Sequence, residues 1–259
     1  MKYYVNNITS YYCEEDLQTF VLKLSQLTKE HPFILQHVRG IDEKAKDIFS
    51  KEGFQIYPTV EKTTLLYHKG ADCFIKILHP LNLKNRIYYS LFSRAEQIYS
   101  LSETLIAQRV KVPRIRAFGT FRKKRMPFFV MERIEGKSLY DLLIREKKQL
   151  PMQIYSKAIE EIAKLHNLGY WLGDAHLSHI FIKDTDVSGF IDIDSIRQNR
   201  TYMLRHIAKD IAGLNHPKLP IAKKEKNDLL NYYLQISGIK DEIRFRRLVK
   251  YYTERRWKE

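Results

Sequence analysis

The sequence predicts an α+β chain in two lobes, a small β-rich one followed by a larger, mainly helical one. Between residues 54 and 134, short apolar runs of strand length (FQIYPTV, TTLLYH, ADCFIKIL, RIRAFGTF, PFFVMERIEG) are separated by Lys69-Gly70, by Pro113 and by the basic turn Arg122–Arg125. From Ser138 onward, apolar residues recur at helical spacing instead. With 259 residues and 44% hydrophobic content the chain is long enough to bury a core in each lobe. The expected division is an N-terminal extension over 1–55 packed on the first lobe, the first lobe and its exit over 56–134, and the helical lobe over 135–259.

Taken in order, residues 14–29 carry Leu17, Phe20, Val21, Leu24 and Leu27 at helical spacing, with Glu14, Glu15 and Asp16 at the end where a helix dipole favours acids. His31-Pro32 ends that helix, PFILQHV reads as a strand, and Asp42–Lys51 as a second short helix before Gly53. Three strands follow over 54–78, and Lys76 lies in the last of them between apolar neighbours. Residues 83–109 read as helical, with Glu96 and Glu103 one heptad apart and so on nearly the same face. After the two strands that straddle Arg122–Arg125, the chain leaves the lobe through Met131-Glu132-Arg133-Ile134. Leu139, Leu142 and Leu143 mark a short helix, and Pro151 opens another whose stripe Ile154, Ala158, Ile162 and Leu165 runs to Gly169. Asp210 opens an apolar helical segment, and two basic helices are expected at about 220–236 and 239–257.

The densest chemistry lies in residues 165–194. Leu172-Gly173-Asp174-Ala175-His176-Leu177-Ser178-His179 reads as a polar loop running into the strand Ile180-Phe181-Ile182, which a turn at Val187-Ser188-Gly189 reverses into Phe190-Ile191-Asp192-Ile193-Asp194. The two ends of this hairpin gather Asp174, His179, Asp192 and Asp194, an acceptor-rich set suited to a hard cation and a proton transfer. An isolated Gly-Asp or Ile-Asp would be read as a turn or a cap. The combination is what points to a site.

That order, a loop Asp174, a metal-binding type of side chain at His179 and a hairpin ending in Ile191-Asp192, resembles the catalytic and metal loops of the protein-kinase-like superfamily. His179 at the usual asparagine position, with Val112-Pro113 upstream, is similar to the lipopolysaccharide core heptose kinases over roughly residues 60–215. The resemblance implies a two-lobed protein-kinase-like fold with one αC-like helix in the N-lobe. It implies ATP-dependent transfer of the γ-phosphate to a hydroxyl, on a heptose or Kdo sugar of the lipopolysaccharide inner core. Asp174 would accept or orient the hydroxyl proton, and Lys76, fixed by Glu96 or else by Glu103, would hold the α and β phosphates. Val130, Glu132 and Ile134 would surround the adenine, and Asp192 would ligate Mg²⁺. His179 would ligate that ion or a softer Mn²⁺, donate to a phosphate, or hold the loop. Asp194 would be a supporting acceptor, His176 would lie within reach of the acceptor, and Asp210 would brace the loop from beneath. The chain departs from the superfamily pattern in three places: no glycine lies between residues 54 and 69 to cover phosphates, Leu172 replaces a histidine, and His179 replaces asparagine. Two other readings stay open, a kinase for another small molecule or of Rio type, and a pseudokinase that binds without turnover.

Charge bounds the partners. Forty-five Lys and Arg against 30 Asp and Glu give +15, a field that attracts something anionic. A phosphorylated nucleotide, an anionic sugar or glycolipid acceptor and an anionic membrane face all satisfy it, the last through the basic C-terminal helices. No zinc-finger spacing, RNP-like run or dinucleotide fingerprint favours nucleic acid, and no specific nucleic acid is expected. Neither a spanning segment nor a secretory signal is read in the chain, so a cytoplasmic protein is expected, peripheral on the inner membrane. Cys13 and Cys73 are too few for a disulfide framework and read as packing residues.

Overall fold

The computed structural model describes residues 1–31, 43–57, 59, 62–123, 125–198 and 203–258. The strand read at PFILQHV lies outside them. The chain divides into two compact units, one made of residues 1–104 and 113–133, the other of 105–112 and 134–259. The passage from the first to the second at Arg133/Ile134 falls inside the segment read as the exit.

The first unit is built on a seven-stranded antiparallel sheet. Its strands are β1 (Lys2–Val5), β2 (Thr9–Cys13), β3 (Phe54–Tyr57), β4 (Thr63–His68), β5 (Cys73–Leu78), β6 (Ile115–Phe121) and β7 (Met126–Glu132), in the spatial order β1-β2-β6-β7-β5-β4-β3. Lys2–Val5 and Thr9–Cys13, within the segment read as an extension, are thus strands of this sheet. Arg116 of β6 fixes them: its Nε donates to Glu14 at 2.8 Å, its guanidinium also pairs with Asp16, and its carbonyl accepts from Glu14 N–H. The helix α1 (Gln18–Glu30) presses Phe20, Val21 and Leu24 onto one face of the sheet, where they join Tyr11, Ile75, Ile77, Phe128 and Val130 in the core. Cys13 and Cys73 are buried there, with burial pushing their thiols up to about 11 and about 12, as suits packing residues. A second helix, α2 (Glu43–Lys51), leads into β3.

Residues 83–109, read as one helical stretch, form two helices, α3 (Leu83–Leu91) and α4 (Arg94–Ala107). The break has a local cause: Phe92 takes an extended conformation, and Ser93 Oγ then accepts the N–H of Glu96, a serine cap that starts a new helix. Tyr99 of α4 stacks on Phe118 of β6 at 4.7 Å between centroids.

The second unit is mainly helical. It contains β8 (Lys137–Ser138), a π-helical turn at Asp141–Arg145, α5 (Met152–Asn167), β9 (Tyr170–Trp171), β10 (Ile180–Lys183), β11 (Asp186–Phe190), β12 (Arg197–Gln198), α6 (Met203–Leu214), α7 (Lys223–Ser237) and α8 (Glu242–Arg256). β10 pairs with β11 and β8, and β9 with β12. The hairpin turn falls at Asp184-Thr185 and not at Val187-Ser188-Gly189. Asp184 takes the left-handed conformation at φ 55°, which aspartate tolerates, while Gly189 stays in the strand and packs against Ile134.

Candidate active site

In the first unit Lys76 sits on β5, near the middle of the sheet, opposite Leu65 on one side and Phe129 on the other. Side chains alternate along a strand, so buried Ile75 and Ile77 face the core while Lys76 faces the other side. Phe129 is opposite Phe118, and Phe118 carries Tyr99, so α4 lies on the face that bears Lys76. Glu96 and Glu103 stand three residues before and four after Tyr99, on the same side of that helix, and both are exposed.

The residues expected around adenine separate. Val130 is a correction: it is fully buried opposite Ile75, in the core beneath α1, and Phe129 and Met131 share the face of Lys76 instead. The cause is the two-residue period of β7, whose register no local pattern reveals in a run as apolar as MPFFVM. Glu132 is exposed, and its backbone N–H is taken by the carbonyl of Arg114 at 3.0 Å. Arg133 is held by a bidentate pair with Asp72, at 2.6 and 3.2 Å. Ile134 begins the second unit.

In the second unit the Asp174 loop and the Asp192 segment are joined. Gly173 has φ 79°, and a Cβ there would come within 2.2 Å of the carbonyl oxygen of Ser195, so only glycine lets the loop lie against the 3₁₀ turn Ile193–Ser195. A second link runs from Ile191 N–H to the carbonyl of His179, 2.9 Å. His179 closes the 3₁₀ turn Leu177–His179, and its Nδ1–H donates to the carbonyl of Asp174 at 2.9 Å. A carbonyl only accepts, so Nδ1 carries the proton of this bond and Nε2 is the ring nitrogen left for another partner. Asp192 is left-handed at φ 66° and its carboxylate accepts from Ser195 Oγ, a side-chain bond that holds an uncommon backbone conformation in place.

Beneath the loop lies a buried relay, of which the resemblance had implied only Asp210. Asp210 is 1% exposed and its Oδ2 accepts the N–H of Leu172 at 2.5 Å and Nε2–H of His166 at 3.2 Å. Tyr233 OH donates to His166 Nδ1 at 2.7 Å, and burial, then the charge of Asp210, drive the tyrosine pKa far up, so its hydroxyl keeps its proton. His166 and Tyr233 lie 44 and 23 residues from Asp210, and only folding reveals the alignment.

Above the loop, Arg256 of α8 donates to Asp174 Oδ1 at 3.1 Å. The Asp174 side chain is 64% exposed and that of Arg256 32%. Trp257 anchors this end of α8 through Nε1–H to the carbonyl of Ala212, and lies in a ring cluster with His216 at 4.6 Å and His176 at 6.4 Å. Tyr140 flanks His176 at 5.5 Å. Burial, then neighbouring His179 and Arg256, lower the His176 pKa. Of the residues that surround Asp174 here, sequence reasoning had placed His176 and His179 at the site, and not Arg256, Trp257, His216 or Tyr140.

Among the described residues no group of three or more His, Cys, Asp and Glu side chains is gathered to hold a metal by itself. The donor set nonetheless suits Mg²⁺, which takes one or two protein carboxylates and fills its other positions with phosphate oxygens and water. Asp192 and Asp194 would supply carboxylates two residues apart, and Nε2 of His179 a ring nitrogen of the kind that suits a softer ion.

A β-rich unit with a strand lysine, and a helical unit with a braced aspartate loop running into an aspartate-tipped hairpin, define the protein-kinase-like class. Within it, the chain belongs to the lipopolysaccharide kinase (Kdo/WaaP) family, whose model matches residues 76–233. A 3-deoxy-D-manno-octulosonic acid kinase of Vibrio parahaemolyticus serotype O3:K6 (strain RIMD 2210633) is 32% identical over 135 residues, 46% of this chain and 54% of that protein. The match thus spans about half the length of that curated relative. Among solved structures, the bifunctional kinase-methyltransferase WbdD aligns over 74% of this chain and 47% of its own, at 13% identity and a TM-score of 0.47. Vaccinia related kinase 3 aligns over 57% of this chain and 50% of its own, at 14% identity and a TM-score of 0.35.

Proposed function

We propose that the protein is an ATP-dependent kinase that transfers the γ-phosphate to a hydroxyl of an acidic sugar, Kdo in preference to heptose, of the lipopolysaccharide inner core at the cytoplasmic membrane face. The observation that carries this reading is the joined pair of loops, in which Gly173 packs on Ser195, His179 bonds to Asp174, and Asp210 holds Leu172. Family membership and the name of the Vibrio relative support it. Asp174, largely exposed, orients the acceptor hydroxyl and takes its proton at a carboxylate oxygen. Lys76 holds nucleotide phosphates, and Asp192 holds the metal that neutralises charge on them. Arg256 tips the choice of acceptor. A guanidinium beside the reacting hydroxyl gives a sugar carboxylate a charge-assisted partner that a neutral heptose lacks.

Turnover of ATP with a Kdo-containing acceptor tests this, assayed beside Asp174→Ala and Asp192→Ala. Phosphorylated sugar from the wild type, with a loss on the order of a thousandfold in either variant, is expected. Tight ATP binding with no phosphate transferred to any sugar would favour the pseudokinase reading.

A further inference from the structure

The helix α3 presents an apolar stripe that none of the described residues of its unit covers. Leu83, Ile87 and Leu91, at four-residue steps on one side of the helix, are 71%, 51% and 71% exposed. Phe92 at 52% and partly exposed Leu81 and Tyr88 widen the stripe. Six large exposed hydrophobic residues within twelve positions exceed the scattered apolar exposure of an ordinary surface. Charge around the stripe is one-sided: no acidic residue occurs between Asp72 and Glu96, while Lys84, Arg86 and Arg94 do. Beside α3 lies an open, polar recess of the same unit, lined by Tyr89 of α3 together with Ser10, Thr120, Arg122, Lys123 and Arg125. An apolar stripe rimmed by cations and adjoined by a basic recess is complementary to an anionic bilayer, acyl chains against the stripe and phosphate headgroups against the cations.

We propose that α3 is a membrane-docking helix, which lays Leu83, Ile87 and Leu91 into an anionic lipid surface while the Arg122–Lys123–Arg125 recess takes a headgroup phosphate. The basic α8 was the sequence's candidate for that role. That helix buries Phe245 and Val249 and places Arg256 on Asp174, and its exposed apolar residues Ile243 and Tyr251 are fewer than those of α3. The inference deepens the membrane location given under Proposed function, yet it is read without ATP or acceptor. A protein without kinase activity can pass its test, and an active kinase can fail it.

The test is co-sedimentation with vesicles of phosphatidylcholine alone or mixed with phosphatidylglycerol. Wild type should bind the mixed vesicles and not the neutral ones. Leu83→Glu/Ile87→Glu/Leu91→Glu should lower that binding by about tenfold or more. Arg122→Gln/Lys123→Gln/Arg125→Gln should lower it by roughly fivefold per charge removed. Because the glutamates also burden the helix, Ile87→Trp supplies a second reading: the emission of the introduced indole should shift to the blue with phosphatidylglycerol vesicles and not with neutral ones. Equal binding to both vesicle types, no binding to either, or an unshifted emission from the Ile87→Trp variant would overturn the proposal. So would light scattering that shows a dimer abolished by the three glutamates, which would assign the stripe to a second copy of the chain.

Discussion

At the scale of single residues, the site is set by which atoms already have partners. Arg256 spends one of its donors on Asp174, and under the proposed function others would meet the acceptor. Arg256→Gln should therefore raise KM for an acidic acceptor by about tenfold to a hundredfold, the range of a charge-assisted hydrogen bond, with kcat changed little. Steady-state kinetics on an acidic sugar and its carboxyl-reduced counterpart check this; equal losses on both would remove the carboxylate from the account. His176 makes a statement about pH. Its Nδ1 accepts from Ser178 N–H, and burial lowers its pKa from the ordinary 6.5, so the folded protein holds it neutral. The stabilising contribution is then complete above about 6.5 and is lost as pH falls through the lower folded value. The melting temperature should drop between pH 7 and pH 5, and drop less in His176→Asn, which keeps an acceptor without the titration. His68, His206 and His216 are lowered in the same direction, so part of the slope should persist.

At the scale of elements, the relay from Tyr233 through His166 to Asp210 ties α7, α5 and α6 to the loop that carries Asp174. Asp210→Ala leaves Leu172 N–H and His166 Nε2–H buried without an acceptor. The expected loss is about 3 kcal/mol of stability by urea unfolding, with a fall in turnover. A loss within experimental error would mean that water replaces the carboxylate. The same elements show what the chain discloses in its sequence. The hairpin, α5 with its stripe from Ile154 to Leu165, and the placement of Lys76 on a strand were legible, because period and punctuation are local. The turn at Asp184, the break at Phe92-Ser93 and the inward-facing Val130 were not. Each depends on a register or a cap that competes with a neighbouring choice of nearly equal local merit, and tertiary packing decides. The strands at residues 2–13 were hidden for a related reason: in TSYYC tyrosines fall on both faces, so the apolar alternation that marks a half-buried strand is weak.

At the scale of the molecule, +15 charges on 259 residues repel one another, and ion pairs such as those of Arg116 and Arg133 offset only part of that. Added salt should raise the midpoint of thermal unfolding by a few degrees, since screening acts on the net repulsion over the whole surface more than on a few pairs in direct contact. A midpoint that falls with salt would give the surface pairs the larger share. The pairing of Asp174 with Arg256 bears on how such a chain comes into being, because 82 residues separate them. As the polypeptide is synthesised, the brace is complete once Tyr233 has emerged, and β10 and β11 can pair long before. The arginine follows only at the end of α8. A chain halted between the two carries a seated loop whose carboxylate still stands as a bare anion. The cation that pairs with this aspartate is thus supplied later in synthesis than the brace beneath it.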